Sequence, residues 1–289
     1  MDFKNAAGLL ALCDEYQLPI SEIMRRRECE VGEVTADDVR ARMQRVWEIM
    51  KDSATQPLTT DQKSMGGLIG GEAKKLSAHY AGKKSICGDV LSKAVMYSMA
   101  VLEVNSTMGL IVAAPTAGSS GVVPGLLLAL QEEYEISDER ILDGLMTAGA
   151  VGYLAMRNAS VAGAVAGCQA EVGIASAMAA AAAVELMGGV PRQCLDAAST
   201  VLMNMLGLVC DPVGGLVEAP CQGRNAAGVA NALIAAEIAL SGITQLIPFD
   251  EMLETMYVVG RNLPAELRET ALGGCAKTPS ACAACAQCG

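Results

Sequence analysis

Residues 160–187 read SVAGAVAGCQAEVGIASAMAAAAAVELM, a long run of small apolar side chains. Such a run restricts the fold severely. Alanine has the highest helix propensity and no side-chain rotamers to freeze. A strand core would need β-branched and aromatic residues in period-two alternation, and little of that pattern occurs anywhere in the chain. Aromatics make up 3% of the 289 residues and hydrophobic residues 52%. The core must therefore be built from Ala, Val, Leu, Ile and Met on closely approaching helices. The fold class expected is mainly α, a single helical domain with Gly-rich loops and a Cys-rich C-terminal tail.

Helical patterns cover most of 4–53, then 87–104, 139–156, 160–187, 191–206, 222–241, 249–258 and 264–271. The stretch 108–133 reads as a loop that opens into an apolar helix. Thr35 before Ala36-Asp37-Asp38 is an N-cap signal for a helix running to about Lys51. Pro264 suits a first helical turn. The tail GGCAKTPSACAACAQCG (273–289) reads as lacking regular structure. RRRECE (25–30) reads as a solvated charged face or a subunit contact. No fixed-period repeat and no linker is visible.

Several classes of protein are disfavoured. A net charge of −11 argues against a nucleic-acid partner, which needs a basic surface. The longest apolar runs, 110–130 and 161–189, are interrupted by Pro115 and Pro124 in the first and by Gln169, Glu171 and Glu185 in the second. Neither suits a bilayer span, so no membrane partner is expected. Met1-Asp2-Phe3 opens no secretory signal. The expected location is cytoplasmic.

Eleven cysteines in such a chain point to metal or redox chemistry rather than to a disulfide framework. Cys13 and Cys194 lie in amphipathic stretches and read as core packing. Cys29 reads as exposed and has no assigned role. Cys168 sits in the apolar run, where a thiolate would be costly unless a metal neutralised it. Cys210 and Cys221 bracket LVCDPVGGLVEAPC (208–221), a loop that also holds Asp211 and Glu218. Pro212 and Pro220 stiffen this loop, and Gly214-Gly215 lets it turn. On spacing alone, a metal site and a pair of buried loop thiols both stay open. Cys275, Cys282, Cys285 and Cys288 in the tail include a C-x-x-C-x-x-C spacing of the ferredoxin kind. The tail could hold a separate metal, lend a ligand to a site elsewhere, or carry no ligand at all.

Two Gly-rich loops, SMGGLIGGEAKKL (64–76) and APTAGSSGVVPG (114–125), present clustered N–H groups and hydroxyls before helices. That arrangement suits a carboxylate. Ser64, Gly66, Gly70, Thr116, Ser119 and Ser120 are the candidate substrate-binding residues, with Lys74 or Lys75 as counter-charge and candidate catalytic group. Close helix packing through glycine competes with this reading. Neither loop is a Walker A motif, and no G-x-S-x-G elbow occurs. His79 is the sole histidine. The acid–base equipment is thin, and part of it is expected from another polypeptide.

The strings SMGGLIGGEAKKL, NSTMGLIVAAPTAGSSGVVPG, AGCQAEVG and NMLGLVCDPVGGLVEAPCQGRNAAGVANA occur in that order. Together they resemble the α chain of iron–sulfur-dependent L-serine dehydratase (L-serine ammonia-lyase), with residues 1–60 and the extreme tail less diagnostic. The resemblance implies a [4Fe–4S] cluster on Cys168, Cys210 and Cys221, with one iron open to polarise the substrate hydroxyl. It implies conversion of L-serine to pyruvate and ammonia through aminoacrylate, without pyridoxal phosphate. Residues 1–272 would be the iron–sulfur lyase catalytic domain and 273–289 the appended tail. A Ser/His-rich motif of the family is missing here, which implies a separate β subunit and allows a higher oligomer. The resemblance also implies a tail cysteine as fourth ligand, Cys288 with Cys285 and Cys282 as competitors. A related iron–sulfur lyase acting on cysteine and an electron-transfer protein with a saturated cluster stand as alternatives.

Overall fold

The alanine-rich run lies at the centre of the molecule, which is described here from a computed structural model covering residues 1–82 and 85–286. Thirteen α-helices follow one another among these residues. They are α1 (Ala6–Tyr16), α2 (Ile20–Gly32), α3 (Ala36–Thr55), α4 (Glu72–Gly82), α5 (Gly88–Ser106), α6 (Val122–Tyr134) and α7 (Asp138–Asn158). Then come α8 (Gly163–Ala166), α9 (Ile174–Leu186), α10 (Pro191–Asn204), α11 (Cys221–Leu240), α12 (Phe249–Asn262) and α13 (Pro279–Ala286). An isolated bridge between Cys210 and Arg268 is the one β feature among the described residues. Every residue of α9 from Ile174 to Glu185 is buried. A helix that is apolar all round belongs inside, and α6, α7, α10 and α11 surround this one. Alanine keeps its cylinder thin and lets those neighbours approach. The mainly α fold expected from composition is the fold observed.

Helix starts follow local chemistry. Thr35 Oγ1 accepts from Asp38 N at 3.1 Å while the Asp38 carboxylate accepts from Thr35 N at 3.0 Å. This capping box opens α3, which runs one turn past Lys51. Cys13 and Cys194 are core residues, as expected. Cys29 differs from expectation: it is half-buried and packs against the core. The charged patch is also less solvated than it reads. Arg27 is buried, with its guanidinium 3.9 Å over the Tyr153 ring and its Nε donating to Asp2 at 2.8 Å. No described helix is long and apolar enough to cross a membrane.

Three segments depart from the expected pattern. Residues 160–187 do not form one helix. α8 stops at Gly167, whose φ of +76° leaves the helical region, and a π-helical turn spans Gln169–Gly173 before α9 begins. Residues 264–271 are not a helix either. A 3₁₀ turn at Ala265–Leu267 gives way to pairing with the Cys210 segment, in which Cys210 N donates to Leu267 O at 2.9 Å and Glu269 N to Cys210 O at 2.7 Å. Bridging to the distant Cys210 segment outweighs local helix propensity there. The tail is structured as far as it is described, with a 3₁₀ turn at Gly274–Lys277 followed by α13. Pro279 in the first helical position, alanines behind it and Thr278 Oγ1 accepting from Ala281 N at 3.3 Å explain that helix.

One core carboxylate has a thermodynamic consequence. Glu185 is buried between α2, α7 and α9, its Oε2 accepting from Thr147 Oγ1 at 2.6 Å and Ser21 N at 3.3 Å. Its Oε1 has no hydrogen-bond partner among the described residues. Burial pushes its pKa above the ordinary 4.5, and nearby Asp143 adds to the rise. A carboxyl whose folded pKa is raised stabilises the fold fully below its unfolded pKa, and that contribution is lost as pH rises through the folded value. Glu185→Gln is therefore predicted to match wild type near pH 4 and to exceed it at neutral pH. The gap should widen by at most about 1.4 kcal/mol per pH unit within the window. Urea unfolding from pH 4 to 8 checks this; a gap that shrinks as pH rises would refute it.

Candidate metal centre

Each of the three central thiols is positioned by a different device. Cys168 follows the α8 break, and its neighbour Gln169 pins the turn. Gln169 Nε2 donates to Ala166 O at 2.9 Å and Met256 O at 2.8 Å, and its Oε1 accepts from Gly207 N at 2.8 Å. Cys210 sits in the extended segment held by Leu267 and Glu269. Cys221 is the first residue of α11. All three are buried.

The thiols share one neighbourhood. Burial pushes Cys168 up to about 11 and Cys221 up to about 12. Cys210 is raised further, by burial first, then by Glu171 and Cys168, with a smaller push from Cys221. Left alone, such thiols stay protonated at neutral pH, and a bound cation would draw the protons off. Glu171 Oε2 stands 3.7 Å from Cys210 Sγ. Gly163 keeps the space beside them open, since a Cβ there would come 2.9 Å from Cys210 Sγ and 2.6 Å from Glu171 Oε2.

Among the described residues, no three His, Cys, Asp or Glu side chains form a set able to hold a single metal ion. Thiolates on one tetrahedral ion lie about 3.8 Å apart. On a four-iron cluster each thiolate binds a different iron, so the sulfurs stand farther apart. Three buried thiols are a soft donor set of the kind an iron–sulfur cluster takes.

The Gly-rich loops are tied to these same segments by carboxylates. Glu218, from the loop between Cys210 and Cys221, is buried and accepts from Ser64 Oγ at 2.6 Å, Gly66 N at 2.7 Å and Leu68 N at 2.9 Å. Glu171, three residues after Cys168, accepts from Thr116 Oγ1 at 2.9 Å. Asn225, one turn after Cys221, accepts from Gly121 N at 3.0 Å and donates to Gly118 O at 2.8 Å. Glu103 on α5 receives Gly71 N at 3.1 Å and Ala73 N at 2.9 Å at the start of α4, and Gln222 joins it at 3.4 Å.

Several candidate residues have their polar groups engaged within the protein. Ser119 and Ser120 are fully buried; Ser119 Oγ meets Thr116 Oγ1 at 3.1 Å and Ser120 Oγ donates to Ala117 O at 2.8 Å. Gly70 N donates to Glu72 at 2.5 Å. Lys74 pairs with Asp61 at 3.0 Å, Lys75 is exposed with Glu72 at 3.9 Å, and His79 is exposed on the last turn of α4. The tail meets the loop after Cys210, with Cys275 N donating to Asp211 Oδ2 at 2.6 Å. A Cβ on Gly214 would come 3.1 Å from Cys285 Sγ. Cys282 is exposed on α13, and Cys288 lies outside the described residues.

Sequence reasoning passed over Gln169, Glu171, Asn225 and Arg224 as site residues. The available signal was a polar residue within one turn of each helical cysteine, in otherwise apolar sequence.

Fold and site together define a helical protein with a buried three-thiol centre framed by two Gly-rich loops. The chain belongs to the serine dehydratase alpha chain family, whose model matches residues 15–276. It is 48% identical over 96% of its length to "Probable L-serine dehydratase, alpha chain" of Bacillus subtilis, covering 92% of that protein. It is 44% identical over 94% of its length to the L-serine dehydratase alpha chain of Peptoniphilus asaccharolyticus, covering 93% of it. Against L-serine dehydratase TdcG of Escherichia coli the identity is 36% over 95% of this chain, which covers 62% of that longer protein.

Proposed function

We propose that this chain is the catalytic α subunit of an iron–sulfur L-serine dehydratase, which converts L-serine to pyruvate and ammonia. The observation that carries this reading is the gathering of Cys168, Cys210 and Cys221, from three separate segments, into one buried neighbourhood in a chain of this family. These three residues would hold a [4Fe–4S] cluster. When bound, the cluster supplies a Lewis acid that eases loss of the serine hydroxyl.

The protein's own groups set the stage for that loss. Glu218 orders the 64–71 loop against the Cys210–Cys221 loop, and Glu171 with Asn225 clamps the 116–121 loop. Both loops would thereby be fixed beside the thiols, where the substrate would sit. Removal of the α-proton with loss of water leaves aminoacrylate; its imine tautomer takes up one water to give pyruvate and ammonia. Lys74 is held by Asp61 and Lys75 faces solvent, so the reading assigns the base to a partner. That partner is a β subunit, matching the alpha-chain names of the end-to-end relatives and the greater length of the E. coli protein. The catalytic domain is taken as 1–272 with 273–289 as its tail, whose Cys288 or Cys285 would supply a fourth thiolate. A reducing cytoplasm suits three free thiols and iron.

The chain loaded with iron and sulfide under nitrogen is predicted to form pyruvate from L-serine only when a β chain is added, at least about 100-fold above the α chain alone. Full turnover by the α chain alone would sink the two-chain reading. Faster pyruvate release from L-cysteine than from L-serine or L-threonine would move the assignment to a desulfidase.

A further inference from the structure

Arg224 lies three residues after Cys221 on α11, and its guanidinium reaches the segment that bears Cys210. Its Nη1 donates to Val209 O, next to Cys210, at 2.8 Å. Its Nη2 pairs with Asp211 Oδ1 at 2.7 Å, with the two side chains 16% and 3% exposed. Its positive charge also acts on the Cys168 thiol. Asp211 spends its other oxygen on Cys275 N at 2.6 Å. Gly274 makes this close approach possible: its φ is +58°, and a Cβ there would collide with the Asp211 carboxylate.

A guanidinium largely withdrawn from water is costly to place, and removing its partner is costlier still. Here one nitrogen donates to a carbonyl while another stands in ion-pair contact with a carboxylate, a two-pronged reach that Arg supplies and Lys does not. The acidic groups near Cys210 are Glu171, Glu269 and the adjacent Asp211, the last paired with Arg224. Against them and the three thiols, Arg224 contributes a fixed positive charge.

We propose that Arg224 is a positioning residue of the thiol centre, locking the Cys210 and Cys221 segments in register and setting the charge that a bound cluster experiences. The inference rests on the cluster reading above. A nearby fixed cation favours the reduced form of a cluster, and a nearby anion disfavours it.

The test uses the full chain loaded with iron and sulfide under nitrogen, beside Arg224→Gln, Arg224→Lys and Asp211→Asn. The readouts are the midpoint of the visible absorption in a redox titration, the rate of iron loss to a chelator, and helicity by circular dichroism. Arg224→Gln should shift the midpoint negative and speed iron loss about tenfold or more. Asp211→Asn should shift the midpoint positive. Arg224→Lys should keep a midpoint close to wild type while losing iron faster, because it retains the charge without the fork. Loosened packing alone would not give opposite signs for the two charge-removing changes. If Arg224→Gln does not fold, the Asp211→Asn and Arg224→Lys proteins carry the decision. Shifts of the same sign, or unchanged midpoints in folded and loaded variants, overturn the inference and leave the cluster reading intact. A wild-type chain that takes up no iron overturns both.

Discussion

Replacing any one of Cys168, Cys210 and Cys221 by alanine is expected to abolish iron uptake and lower pyruvate formation by more than about 100-fold. Changes to groups that merely support a metal ligand cost about 10- to 100-fold, so loss of a ligand should exceed that range. The three thiols come from the α8 break, an extended segment and the first turn of α11, so no neighbouring cysteine stands ready to substitute along the same segment. Cys13→Ala and Cys194→Ala are the matched controls. Both thiols are buried in the core, and their loss should cost about 1 kcal/mol of stability with iron content unchanged. Iron and sulfide analysis of proteins made without oxygen checks all five. A full cluster in any of the first three would break the assignment.

Glu218→Ala should be the most damaging change outside the cysteines. Its carboxylate accepts from one hydroxyl and two backbone N–H groups of the 64–68 loop. Removing it leaves those donors unpaired in a largely buried setting, at about 1–3 kcal/mol each before relaxation or entering water relieves part of the cost. A net destabilisation of about 3–5 kcal/mol is expected, with proteolytic cleavage appearing within residues 64–71. Activity should fall through a KM for L-serine raised at least about tenfold, because the loop that Glu218 fastens to the Cys210–Cys221 segment is no longer held. Glu218→Gln keeps the shape and one acceptor, and should recover about half of the lost stability. An unchanged KM and unchanged unfolding midpoint in Glu218→Ala would show that the two loops are not coupled through this carboxylate.

Much of the fold was legible because its helices are long and their apolar residues plentiful. The 139–156 and 191–206 patterns correspond closely to α7 and α10, and the Thr35 capping signal opens α3 as read. Legibility failed where a residue answers to something distant. Gly167 and Gln169 sit in a stretch whose composition reads as uninterrupted helix, yet Gln169 bonds to Met256 O and Gly207 N break the pattern there. Residues 264–271 have helical composition but pair with Cys210. The tail reads as unstructured because it is small and Cys-rich; Pro279, Thr278 and its alanines nevertheless carry a helix signal.

The loop residues teach a related lesson. Ser64, Ser119 and Thr116 stand out in sequence as hydroxyls beside glycines, a pattern shared by ligand-binding loops and by loops that hold themselves in place. Here Ser64 and Thr116 donate to Glu218 and Glu171, and Ser119 bonds to Thr116. The sequence shows both ends of these links but not that they meet, because 154 positions separate Ser64 from Glu218 and 55 separate Thr116 from Glu171.

By itself the sequence determined the helical class and the family, since composition, period and motif strings are local properties of the chain. Only the tertiary structure decided that Cys168 stands at a break rather than inside a helix. It alone decided that Glu171, Glu218 and Asn225 fasten the Gly-rich loops to the cysteine segments, and that Arg224 joins the Cys210 and Cys221 segments to one another. The physical reason is burial. A carboxylate or guanidinium taken out of water must find partners, and which partners it finds depends on how the helices pack, which no short stretch of sequence records.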